Sequence, residues 1–133
     1  MDATRRGLLS LGLALPAAFA LPGCGESAVI ENIDAARVKA AMEKGAVTLI
    51  DVREPDEWAA GHVPGSMLLP LSRFDPAKLP PAQPGKDIVV ICRSGNRSQT
   101  AIAAAQRAGR ADVRLNFVGG IKAWAAAGGR VVR

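Results

Sequence analysis

An α/β fold built on a mainly parallel sheet is what this 133-residue sequence predicts. Two observations carry the prediction. Short apolar runs of strand length alternate with stretches of helical periodicity, the order that builds strand–helix–strand units. The strongest run, Asp87-Ile88-Val89-Val90-Ile91, is β-branched and apolar on both faces, as befits a strand in the middle of a parallel sheet covered by helices. The length supports one compact domain. A composition of 49% hydrophobic and 22% charged residues is ordinary for a globular chain and excludes a disordered or fibrous one. Aromatics are only 4% with no Tyr, which argues against a base-stacking surface for single-stranded nucleic acid.

The elements follow in order. Ile33 to Lys44 has helical spacing, with Asp34 as the cap, Val38, Ala41 and Met42 on one face, and Gly45 as the stop. Ala46 to Ile50 is a strand-length apolar run ending in Asp51-Val52-Arg53, and Glu54 to Ala60 suits a short helix with Pro55 near its start. Ser66 to Leu69 is expected to be a second short strand. Five of the nine prolines fall between Pro70 and Pro84, so Asp75 to Gly85 is expected to be a surface connection. After the strand Asp87–Ile91 comes a polar turn, then an Ala-rich helix from about Gln99 to Ala108. Val113 to Phe117 predicts a further strand, Gly119-Gly120 a turn, and Ile121 to Ala127 a last helix.

The N-terminus has the layout of an export signal: Arg5-Arg6, then an uncharged stretch from Gly7 to Gly25 rich in Leu and Ala. The run is shorter than the roughly 20 apolar residues of a spanning helix. Ala18-Phe19-Ala20 could be cut by an ordinary signal peptidase, leaving a soluble periplasmic protein. Leu21-Pro22-Gly23-Cys24 resembles a bacterial lipobox, in which the Cys becomes the lipidated N-terminus. The lipobox reading is favoured, with Pro22 a departure from its usual pattern. Thr4-Arg5-Arg6-Gly7-Leu8-Leu9 also resembles a twin-arginine motif. The expected organisation is a signal over 1–23, a short tether over 24–32, and a domain over 33–133. The formal charge of +5 falls only slightly on removal of Arg5, Arg6 and Asp2. It is spread along the chain rather than gathered in a basic stripe, which argues against nucleic acid as a partner.

Cys92 stands at the C-terminal end of the central strand, where open α/β sheets bind ligands. The residues after it, Arg93-Ser94-Gly95-Asn96-Arg97-Ser98, form a short polar turn leading into a helix. Such a turn can aim several backbone N–H groups at one point, and the positive end of the helix adds to their field. The same field favours thiolate over thiol, and Arg93 and Arg97 add full charges beside it. The expectation is an activated nucleophilic cysteine that attacks or carries something negative. A buried Cys without function, or a Cys24–Cys92 disulfide, are the plainer alternatives. Lipidation of Cys24 would rule out the second.

Cys92-Arg93-Ser94-Gly95-Asn96-Arg97-Ser98 resembles the active-site loop of the single-domain rhodaneses, a sulfurtransferase family. Two further stretches match. Asp51-Val52-Arg53-Glu54-Pro55-Asp56-Glu57-Trp58 through Gly65-Ser66 is similar to the family's upstream signature. Gly119-Gly120-Ile121-Lys122-Ala123-Trp124 is similar to its C-terminal one. The resemblance implies a three-layer α/β/α fold around a mainly parallel five-stranded sheet. It also implies a Cys92 that cycles through a persulfide, taking sulfur from thiosulfate or a similar anionic donor and passing it to a thiol, cyanide or protein acceptor. The loop Arg93 to Ser98 would bind the substrate, with Arg93 or Arg97 orienting the donor; no metal or organic cofactor is implied. A monomer attached to the membrane through Cys24 is the expected state.

Two other readings are weighed beside this one. A rhodanese-fold module that docks a partner or senses redox state, without turnover, is the main alternative. A phosphatase of the dual-specificity type is disfavoured because those loops place Arg five residues beyond the residue that follows Cys, and Arg97 arrives one residue early. Upstream, Asp51 and Arg53 are expected to pair or to cap local backbone groups, and Glu57 to hydrogen-bond with His62 at the Gly61 turn. His62 is expected to be structural rather than a base, and Trp58 and Trp124 to belong to the core.

Overall fold

The computed structural model describes residues 28–133. The signal segment and Cys24 lie outside the described residues. Five strands, β1 (Glu31–Ile33), β2 (Val47–Asp51), β3 (Met67–Leu68), β4 (Asp87–Ile91) and β5 (Leu115–Phe117), form one sheet in the order β1-β5-β4-β2-β3. Every neighbouring pair is parallel. Four helices complete the fold: α1 (Ala35–Glu43), α2 (Pro55–Ala60), α3 (Asn96–Arg107) and α4 (Gly120–Ala126).

The expected central strand is central. β4 pairs with β2 over its whole length, Val47 opposite Asp87 through Asp51 opposite Ile91, and with β5 on its other side. Its side chains alternate between two cores, as period-two geometry requires. Ile88, Val90 and Cys92 join Ala101, Ile102 and Ala105 of α3 on one face. Val89 and Ile91 join Val38 of α1, Phe117 and Trp124 of α4 on the other. Helices on both faces explain why β4 reads as an unbroken apolar run.

Several boundaries differ from the sequence reading. Ile33 does not begin a helix: it ends β1, with its carbonyl bonded to the Val118 N–H, and α1 starts two residues later with Asp34 as its cap, accepting from the Arg37 N–H at 2.9 Å. A three-residue edge strand shows no periodicity of its own, and its partner β5 is more than eighty residues away in sequence. β3 shrinks to Met67–Leu68, and β5 begins at Leu115 rather than Val113. The proline-rich connection holds two single-turn 3₁₀ helices, Leu71–Arg73 and Pro76–Lys78, and from it Leu79 reaches into the α3-side core. None of the helices among the described residues is long and apolar enough to cross a membrane.

Candidate active site

The site is built at the C-terminal end of the sheet. Cys92 directly follows β4, and α3 starts at Asn96, three residues earlier than the sequence suggested. The true loop is therefore only Arg93, Ser94 and Gly95, while Asn96, Arg97 and Ser98 form the first turn of α3. Gly95 makes this tight reversal with φ +103°, in the left-handed region that side chains rarely adopt. Its N–H donates to Cys92 Sγ at 3.0 Å. Ser98 Oγ stands 3.5 Å from the same sulfur. Cys92 is 1% exposed, and Arg93 and Ser94 beside it are exposed.

The loop is held from outside by α4. The Ile121 N–H donates to the Cys92 carbonyl at 2.9 Å and the Lys122 N–H to the Arg93 carbonyl at 3.3 Å. These are first-turn donors that a helix cannot satisfy internally, so the α4 N-terminus clamps the backbone on either side of the sulfur. Gly120 permits this approach: at its φ of +56°, an added Cβ would lie 2.6 Å from the Arg93 carbonyl carbon. Gly120, read from sequence as part of a turn, thus packs closely against the Cys92 loop.

Burial pushes the Cys92 thiol pKa up, but the hydrogen bonds that the ionised sulfur accepts from the Ser98 side chain, once its hydroxyl turns to it, and from the backbone at Ser98, Gly95 and Ser94 outweigh it. The net direction is down. These donors favour the charged form directly, and the N-terminus of α3, a 12-residue helix, favours it through its dipole.

The two loop arginines lie in different surroundings. Arg97 is engaged by Glu57 of α2 in a bidentate pair, Nη1 to Oε2 and Nη2 to Oε1, both 2.7 Å. Arg93 is exposed. Glu57 also accepts from the Glu54 N–H at 2.8 Å, so this carboxylate caps α2 and fastens it to α3. It does not bond His62, contrary to the sequence expectation. The His62 Nδ1–H instead donates to the Trp58 carbonyl at 3.0 Å, and its ring stacks on Trp58 with centroids 3.7 Å apart. Trp58 is only half-buried, whereas Trp124 is core, edge-on to Phe117. Asp51 and Arg53 do pair, at 2.7 Å from Nη2 to Oδ2 and almost wholly buried.

The Arg97 hydrogen bonds hold the Glu57 carboxyl at a pKa of about 2, helped by the Glu54 N–H and the nearby charges of Arg97 and Arg53, against desolvation. The folded value lies below the ordinary 4.5, so the pair's contribution is complete above that pH. It is lost as pH falls through about 2. Because the pair is partly exposed, that contribution is about 1 kcal/mol or less. Glu57→Gln should therefore be measurably less stable than the parent in denaturant melts at pH 7. The gap should close as the melts are repeated toward pH 2; a gap independent of pH contradicts the assignment.

Sequence reading missed two residues of the site. Asn116 of β5 is 1% exposed and accepts from Ser98 Oγ through its Oδ1. Its Nδ2 donates to Asn32 Oδ1 of β1 at 2.9 Å. The available signal was a polar residue between two apolar ones in Leu115-Asn116-Phe117, an unusual choice for a buried strand.

The geometry is that of a parallel α/β protein with a buried cysteine cradled by backbone N–H groups just after its central strand. Comparison with known proteins narrows the class. The Rhodanese-like domain model matches residues 34–127, and the chain belongs to the rhodanese-like family. An uncharacterized Synechocystis protein is 42% identical over 86 residues, covering 65% of this chain and 47% of that one, so the chain spans about half that relative's length. The thiosulfate sulfurtransferase GlpE of Pseudoalteromonas translucida is 31% identical over 100 residues, covering 73% of this chain and 90% of its own. A crystal structure of a rhodanese-related protein from Thermoplasma volcanium is 35% identical with a TM-score of 0.60, covering 76% and 96% of the two chains.

Proposed function

We propose that this protein is a sulfurtransferase that carries sulfane sulfur as a Cys92 persulfide. The observation that supports it most is the Gly95 N–H aimed at Cys92 Sγ from 3.0 Å at the head of α3. The kinship with proteins named sulfurtransferase agrees with it. The Cys92 thiolate attacks the outer sulfur of thiosulfate or a similar donor. A sulfur–sulfur bond forms to Cys92, and the donor's own sulfur–sulfur bond breaks, its electron pair leaving with sulfite. A thiol, cyanide or protein acceptor then attacks the outer persulfide sulfur, and the thiolate returns. One difficult transfer becomes two easier ones. The cradle of N–H groups holds negative charge in both halves of the cycle. With Arg97 engaged by Glu57, Arg93 is the exposed guanidinium of the loop that meets an anionic donor. Incubation of the full chain with thiosulfate should add one sulfur atom by intact mass. No gain, or an equal gain in Cys92→Ser, overturns the reading.

The N-terminal sequence supports action at the cell envelope as a lipoprotein, with Cys24 as the lipid attachment point and the domain on the periplasmic side of a bacterial membrane. In bacterial cells the parent should sediment with membranes and Cys24→Ala should not. Equal membrane recovery of the two overturns the attachment.

A further inference from the structure

Cys92, Ser98, Asn116 and Asn32 form a continuous line of polar groups from the sulfur to the sheet edge. Asn32 and Asn116 are register partners on β1 and β5, and Asn116 is opposite Val90 of β4. Asn116 therefore projects on the α3 side of the sheet, the face that carries Val90 and Cys92. Ser98 is fully buried and Asn116 nearly so, while Asn32 is exposed. The line begins at a buried thiol and ends in water.

The Ser98 hydroxyl has one hydrogen, and Asn116 Oδ1 can only accept. With that hydrogen on Asn116, Ser98 turns lone pairs toward the sulfur, an arrangement that suits a thiol donating S–H across the 3.5 Å contact. A thiolate has no hydrogen to give. When Cys92 ionises, the Ser98 hydroxyl must swing toward sulfur, which strands Asn116 Oδ1 in a buried place. Stranding such an atom is costly. The remedy lies in the amides, whose oxygen and nitrogen ends have nearly the same shape. If Asn116 flips, its Nδ2 donates to Ser98 Oγ and its Oδ1 faces Asn32. If Asn32 flips in turn, its Nδ2 donates to Asn116 and its oxygen faces solvent. Every buried group is then satisfied and the whole line points at the thiolate.

We infer that Asn116 and Asn32 are positioning residues that set the direction of the Ser98 hydroxyl and, by reversing together, let the site hold Cys92 as an anion. The inference rests on the reading of Cys92 as the sulfur carrier, whose anionic forms the reversed line favours. Neither amide touches the reacting atoms. The charged groups on the elements packed against the sulfur are Arg93 of the loop, Arg97 of α3 with its partner Glu57 of α2, and Lys122 of α4, with the Asp51–Arg53 pair on the opposite face of the sheet. Around Asn32 they are Glu31 of β1 with its partners Arg37 of α1 and Arg114 ahead of β5.

The exposed end gives the test, because a change there leaves the core packing alone. Asn32→Asp supplies only acceptors, which pins Asn116 Nδ2 toward it and the Ser98 hydrogen toward Asn116. The rate of Cys92 alkylation by iodoacetamide is measured against pH, without sulfur donor, at low and at high salt. The midpoint should move up by about one unit, a roughly tenfold loss of thiolate below it, with the melting temperature unchanged. The shift should persist at high salt, where a remote surface charge is screened. An unmoved midpoint, or a shift that salt abolishes, overturns the inference. Because alkylation needs no sulfur transfer, its outcome stands apart from the mass experiment, which alone decides whether Cys92 carries sulfur.

Discussion

Cys92→Ser is expected to lower sulfur-transfer turnover by about a thousandfold or more, equivalent to about 4 kcal/mol of barrier. A serine hydroxyl is not ionised near neutrality and cannot form the persulfide on which both halves of the proposed cycle depend. The fold should survive. The new oxygen is offered the same Gly95 N–H and Ser98 neighbours as the sulfur, so the substitution buries no orphaned polar group. Turnover with thiosulfate and cyanide, followed as thiocyanate release, checks the first statement, and a thermal melt checks the second. Turnover within tenfold of the parent would place the nucleophile elsewhere. A binding or redox-sensing module would show negligible turnover in the parent itself.

The largest effect on stability is expected at the far side of the site. Asp51 is fully buried and meets Arg53 through both carboxylate oxygens, at 2.7–3.1 Å. The same guanidinium donates to the Gly61 carbonyl at 2.8 Å and to the Glu57 carbonyl at 3.3 Å, joining the end of β2 to the body and the C-cap of α2. Asp51→Ala leaves a 5% exposed cation with carbonyl partners only, a situation that costs about 3–5 kcal/mol. For a domain of this size that lowers the melting temperature by roughly 10 °C or more. The double variant Asp51→Leu with Arg53→Met should recover most of the loss, because it removes the unpaired charge along with its partner. Urea melts of the parent, single and double variants check both statements. A single variant within 1 kcal/mol of the parent would mean that the pair is dispensable.

Legibility in the sequence followed the range of the interactions involved. The β4 run, the helix at α1 and the cap at Asp34 are set by neighbours a few residues apart, and the structure has them within two residues of expectation. Asp51 and Arg53, two positions apart at the end of β2, were readable as a pair or as caps of local backbone, and the structure shows both. Elements held by distant partners were misjudged. β1 exists because β5 supplies its hydrogen bonds across more than eighty residues, and Leu79 is buried because α3-side residues surround it. Glu57 chose Arg97, forty residues away, over the adjacent His62.

The candidate site divides along the same line. Sequence alone determined that Cys92 ends a buried parallel strand and is followed by a short polar turn and a helix N-terminus, since strand periodicity, glycine placement and helix propensity are local properties. Only the tertiary structure decided which groups surround that cysteine: the α4 clamp at Gly120, the Glu57 partner of Arg97, and the Asn116–Asn32 line behind Ser98. These depend on how strands β1, β5 and β4 lie side by side, and side-by-side register is settled by packing among residues far apart in the chain.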